Sequence, residues 1–254
     1  MCCFSQPVIS VSATNIFARA GEGDRQFLVY SKSIQADTDL AMILPLPVKD
    51  GAGEKAVEFI DPKGYPEFFA DLRTGFRPHV VEHGHGFGTR SLDAAESARL
   101  EVVQVGDFEA SFVPTIKDFG RLDERFCLPP GTWDKLPDYK KYGFAVFKLK
   151  PGAMRIHPMA FAFPRRDVKT LFFPTVHIHD GKVHSEADFD HALYCQPREN
   201  QPLELFAWQE SDSHAMSFVK VNQTKGVVVA DQHCYKKELH GSWPNRDTII
   251  GVHV

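Results

Sequence analysis

Cysteine is scarce, long apolar runs are missing and positive charge is in deficit, and each shortage removes a class of function. The five cysteines, Cys2, Cys3, Cys127, Cys195 and Cys234, are an odd and scattered set in a chain of 254 residues. No C-x-x-C pair occurs, which excludes a zinc ribbon and a thioredoxin-type redox pair, and no disulfide framework is indicated. The longest apolar runs, such as Leu40 to Leu46, fall far short of the roughly 18 residues that a membrane-crossing helix needs. The opening MCCFSQPVISVSATN has neither the basic start nor the long apolar stretch of a secretory signal, so a cytoplasmic location is expected. With 29 Lys and Arg against 33 Asp and Glu, no bulk positive field is present to hold nucleic acid or anionic lipid.

What is present is phenylalanine, 21 residues of it, often in alternation. GDFEASF puts Phe108, Ala110 and Phe112 on one face, and YGFAVFKL puts Phe144 and Val146 on one face, which is the period of a strand. Further strands are expected over 26–34, 40–46, 99–105, 153–163, 170–178, 215–221 and 225–231. Helices are expected over 65–76, 92–99 and 185–195, the last opening on Ser185 with Asp188 three residues on, a capping-box pattern. The expected class is α+β: strand-dominated, mostly antiparallel sheets, sandwich or barrel-like, with a few short covering helices. The Pro-Pro-Gly and the charges of 125–143 mark a connecting loop between β-rich halves at 1–124 and 144–254, although one domain would also accommodate them.

Chemistry concentrates in FFPTVHIHDGKVHSEADFDHALYC, residues 172–195. Asp180-Gly181 is a strong hairpin signal, because a type I′ turn needs positive φ at both central residues. With a two-residue loop there, His177, His179 and His184 project from one face of the ribbon and Val176, Ile178 and Val183 from the other. Three imidazoles at that spacing can share one divalent transition metal (zinc, iron or copper) and leave a coordination position open. On the helix expected to follow, His191 and Cys195 stand at i, i+4, so His191 enters as a catalytic candidate or fourth ligand and Cys195 as a further ligand. His157, held extended before a proline, is a ligand candidate from a neighbouring strand.

Other constellations are thinner. VEHGHGFGTR carries Glu82, His83 and His85 in a glycine-rich loop that could supply ligands or a general base, or nothing. Arg165 and Arg166 could hold a carboxylate or phosphate, or simply meet solvent. In DQHCYKKELHGSW, His233 and Cys234 are adjacent and so face opposite ways in an extended chain. Were Met1 removed, Cys2 would become an N-terminal nucleophile with its own amine as base.

HIHDGKVH, following the β-rich FKLKPG, is similar to the H-x-H cluster of cupin barrels, which implies a metal-dependent oxidoreductase or isomerase. The N-terminal third, CCFSQPVISVSATNIFAR through LAMILPLPV, resembles an uncharacterised bacterial family and implies no activity. The function expected from the sequence is a metal-dependent enzyme, a hydrolase or an oxidoreductase, acting on a small molecule through a mononuclear histidine site. The alternatives are an N-terminal cysteine amidohydrolase and a non-catalytic binding or assembly protein. Nucleic-acid and membrane partners are not expected.

Overall fold

The computed structural model describes residues 2–61, 64–76, 102–105, 108–198 and 202–251. The helix expected over 92–99 and the histidine loop at 81–90 lie outside these. In chain order the strands are β1 (Cys2–Phe4), β2 (Ser10–Ala20), β3 (Arg25–Ala36), β4 (Leu40–Leu46), β5 (Glu58–Ile60), β6 (Val102–Val105), β7 (Phe108–Val113) and β8 (Gly143–Leu149). They continue with β9 (Gly152–Pro164), β10 (Thr170–Phe173), β11 (His177–Ile178), β12 (Glu186–Gln196), β13 (Gln209–Glu210), β14 (Tyr235–Pro244) and β15 (Thr248–Gly251), and among the described residues one α-helix, α1, spans Phe68–Thr74.

Two open sheets stack as a sandwich, in line with the expected class. One has the order β11-β1-β4-β8-β7-β6, the other β13-β14-β12-β2-β3-β9-β5, and β10 with β15 forms a separate ribbon. Pairing is antiparallel except for β1 with β11 and β12 with β2. The phenylalanine alternation explains the stacking. Phe147 of the first sheet meets Phe59 and Phe161 of the second, with ring centroids 5.7 and 6.1 Å apart. β8 is buried along nearly its whole length, and its first residue must be glycine: a Cβ on Gly143 would stand 2.5 Å from the Phe112 ring. The outer face of the second sheet carries a smaller core. There α1 lays Phe68, Phe69 and Leu72 over Phe17, Val29, Ala160 and Tyr194, each such side chain contributing about 1.5–3 kcal/mol on burial.

Several local expectations are corrected. The helix expected over 185–195 is replaced by strand β12 (Glu186–Gln196), because Phe189, His191, Leu193 and Cys195 alternate inward and the strand is paired on both sides, with β14 and with β2. Residues 170–178 are two short strands, not one, separated around Pro174. Residues 215–221 hold 3₁₀ turns at Ala215–Ser217 and Val221–Gln223. In 225–231 the chain turns at once, through positive φ at Lys225 and Gly226, and then buries Val227 and Val228 in the smaller core. The stretch 125–143 winds through short 3₁₀ turns and drives Phe126, Leu128, Leu136 and Tyr139 into the main core. Among the described residues no helix is long and apolar enough to cross a membrane.

Candidate functional site

The histidines gather where the two sheets meet, but in a different combination from the one the sequence suggests. β11 does not fold back on residues 183–184. It pairs in parallel with β1, with Cys2 opposite His177 and Cys3 opposite Ile178. The Asp180 carboxylate accepts from the Lys182 N–H at 3.0 Å and contacts His184 Nε2 at 2.9 Å, so Asp180-Gly181 closes a compact loop in place of a hairpin. His184 is left exposed on that loop, away from the interior.

His177, from the first sheet, meets His191, from the second. Their Nε2 atoms stand 3.2 Å apart, and the two residues are 7% and 2% exposed. The His177 ring lies nearly parallel to three others: Phe189 at 4.5 Å, His179 at 4.7 Å and His191 at 4.8 Å between centroids. Phe4 tilts over His179 at 5.6 Å, and the buried Lys32 places its ammonium 4.7 Å from the Phe4 ring. An Nε2 to Nε2 hydrogen bond requires one ring to donate and the other to accept, which neutral imidazoles of opposite tautomer do and two imidazolium rings cannot. Burial, with His179 and Lys32 adding to it, lowers the His177 pKa to about 2, and burial likewise drives His191 far below the ordinary imidazole range.

The backbone around this cluster is held by two residues to which the sequence reading gave no role. Asn245 accepts from the His177 N–H at 2.6 Å and donates to the carbonyls of His177 and His184 at 2.9 and 3.0 Å. Asp247 turns its carboxylate inward, accepting from the N–H groups of Thr175 and Val176 at 2.8 and 3.0 Å and from the Tyr139 hydroxyl at 2.7 Å. Burial outweighs those hydrogen bonds and raises the Asp247 pKa to about 6. The only sequence signal for either residue is the turn-forming composition of Pro244-Asn245-Arg246-Asp247.

The remaining candidates lie apart. Cys195 sits four residues beyond His191 on β12, roughly 13 Å along an extended strand, and burial pushes its thiol well above the usual range. The His157 ring packs on Phe108 at 4.7 Å, and its Nδ1 lies 3.0 Å from the Pro158 carbonyl. Of Cys2 the structure gives the backbone register beside His177. Arg165 is not a ligand clamp, for it donates to the carbonyls of Asp24, Val168 and Thr170.

The expected metal enzyme is therefore corrected. Among the described residues no three His, Cys, Asp or Glu side chains are grouped to hold a metal ion. His177 and His191 turn their Nε2 atoms toward each other, and His179 meets His177 ring face to ring face, so the cluster works as packing between the sheets.

The surface shows a different feature. Leu205-Phe206-Ala207-Trp208 is a turn closed by the Trp208 N–H on the Leu205 carbonyl at 3.1 Å. Leu205 and Trp208 pack on the main core, Trp208 against Phe173 at 5.6 Å, while Phe206 between them is 94% exposed. Ala207 is held at φ 61°, a left-handed conformation that disfavours any side chain. The Glu204 N–H binds the Gly251 carbonyl at 3.0 Å, which ties this turn to the end of the β10–β15 ribbon. That ribbon carries Ile249, 57% exposed, and leads back to Val168, 41% exposed.

No known protein family matches the chain, and no curated protein does. Among solved structures it is similar to baculovirus P35, at 13% identity and a TM-score of 0.49, with 99% of each chain covered. A caspase-8/P35 complex aligns at 11% identity and a TM-score of 0.46, over 95% of this chain and 96% of that one. A mutated baculovirus P35 after caspase cleavage aligns at 13% identity and 0.45, over 95% and 100%.

Proposed function

We propose that the chain is a non-catalytic protein that works by binding another protein. The observation that carries this reading is Phe206: a large aromatic side chain kept in water on a backbone that is itself anchored to the core and strained to hold it there. Folding gains nothing from such an arrangement, and aromatic residues are the side chains most enriched at the energetic centres of protein contacts. The histidine pair supports the reading from the other side, since His177 and His191 are buried, held neutral and engaged with each other.

Two measurements test it. In a native extract of cells that make it, the chain is expected to migrate well above its own 28.6 kDa and to return to that mass once purified; migration at 28.6 kDa in both samples would sink the proposal. Caspase-8, held by baculovirus P35 in the solved complex, is the first single protein to mix with it, with co-elution on gel filtration as the expected outcome.

A further inference from the structure

We infer that residues 177–184 form a flap, latched shut by the hydrogen bond between His177 and His191, and that acid opens it while the rest of the sandwich stays folded. This device is independent of the binding reading above. One side chain brings the two ends of the flap together. Asn245 holds the N–H and the carbonyl of His177 at one end and the carbonyl of His184 at the other, which gives the closed-ended shape of an Ω-loop. Both flanks are fixed to the same turn: Asp247 accepts from the Thr175 and Val176 N–H groups, and the Asn245 N–H donates to the Ser185 carbonyl at 2.8 Å. The flap can therefore lift about two anchored ends.

The other ties on it are few. β11 is two residues long and stands at the edge of its sheet, paired with β1. The Val8 N–H binds the His179 carbonyl at 3.2 Å, Ile178 is buried and Val183 half-buried, and these hold the flap down at neutral pH. Asp180, Lys182 and His184 are exposed. A segment with so few buried contacts opens at a lower free energy than the sheet it lies on. Lifting it uncovers the Phe4 and Phe189 rings, against which His179 and His177 pack in the closed form.

Acid is the trigger because of how the latch is built. One Nε2 donates and the other accepts across 3.2 Å, so a proton on each ring would set N–H against N–H. The charged groups that act on both rings are Lys32 from β3, His179 from β11 and the amino terminus ahead of β1, all of them basic. Beside His191 in the sheet stand Thr14 of β2 and Leu239 of β14, which carry no charge. Glu186, Asp188 and Asp190 fall on the other face of β12, Asp180 contacts His184, and Asp247 faces Thr175, Val176 and Tyr139. Once the flap lifts, each imidazole reaches water and takes up a proton at its ordinary pKa near 6.5, so the open form binds two protons more than the closed one.

Native-state hydrogen exchange from pH 6 to 4.5, each amide normalised to its unstructured rate, tests this in the wild-type chain and reports the open flap while it is still a rare state. The His177 and Val8 amides are expected to lose protection by close to about a hundredfold per pH unit. The Ala145 to Phe147 amides of β8, which exchange through global unfolding, should lose only about tenfold, because unfolding releases the Asp247 proton as the histidines gain theirs. Val176, next to the flap but bound to Asp247, should follow β8. His177→Phe should bring the slope at Val8 down to about tenfold per unit, whereas Asn245→Ala should speed flap exchange at every pH and leave the slope unchanged. His177 and Val8 amides that track β8 at every pH would overturn the flap, and flap exchange independent of pH would overturn the latch.

Discussion

Acidifying the protein from pH 7.5 to 4.5 is expected to cost it about 3 kcal/mol of folding stability, and the cause is the His177–His191 pair. In the unfolded chain each imidazole has its ordinary pKa near 6.5, whereas in the native sandwich both are depressed by burial, His177 to about 2. Below pH 6.5 the unfolded state binds two protons that the native state refuses, so stability rises with pH through this window and is lost as pH falls. At about 1.4 kcal/mol per unit and per histidine, two units below 6.5 cost about 5 kcal/mol. Asp247 acts in the opposite sense. Its native pKa is raised to about 6, so between there and its ordinary value the native state binds the extra proton, and acidification to pH 4.5 returns about 2 kcal/mol. The histidines win by about 3 kcal/mol, a large share of a typical domain's 5–15. Urea melts at half-unit pH steps measure this, and His177→Phe should lower the slope by close to one proton. Stability that rises on acidification between pH 6 and 4.5, as the Asp247 proton alone would produce, would show that the pair is not held neutral.

Asp247→Ala is expected to cost about 2–4 kcal/mol, because it strands the Thr175 and Val176 N–H groups and the Tyr139 hydroxyl together. The segment leading into β11 loses two of its ties to the 245–248 turn at the same stroke and keeps those made by Asn245 and by the Thr175 hydroxyl. Asp247→Asn keeps an acceptor for both N–H groups and can donate to the tyrosine oxygen, so at pH 7.5 it should hold stability to within about 1 kcal/mol. The two variants also differ from wild type in acid: without the compensating carboxylate, Asp247→Asn should lose stability more steeply below pH 6. Equal stability of Asp247→Ala and wild type would remove Asp247 from the account of how β11 is held.

Much of the sandwich was legible because its strands bury one face at a time. The alternation at Phe108, Ala110 and Phe112 became β7, and Leu40–Leu46 became β4 with its predicted ends. Residues 185–195 defeated the sequence reading. Ser185 and Asp188 look like a helix start, and a strand is chosen only because β2 and β14, remote in sequence, supply partners on both edges. The site was legible in part. His177, His179 and His191 do meet, yet the Asp-Gly register that grouped His184 with them failed. Asp180 spent its side chain on Lys182 and His184, and the partner of β11 turned out to be β1, some 175 residues earlier in the sequence. Phe206 carried no signal, for one phenylalanine in a chain of 21 looks like core until the turn that expels it is seen.

The most direct measurement is the ring ¹⁵N and ¹³C chemical shifts of His177 and His191, followed from pH 8 to pH 5 in the folded protein. Packing of the kind described keeps both rings neutral, with opposite tautomers and no midpoint across the range, while the same residues in the urea-unfolded chain titrate near pH 6.5. A folded-state midpoint near 6.5 at either ring would contradict it, and would return that histidine to the pool of groups open to solvent and to chemistry.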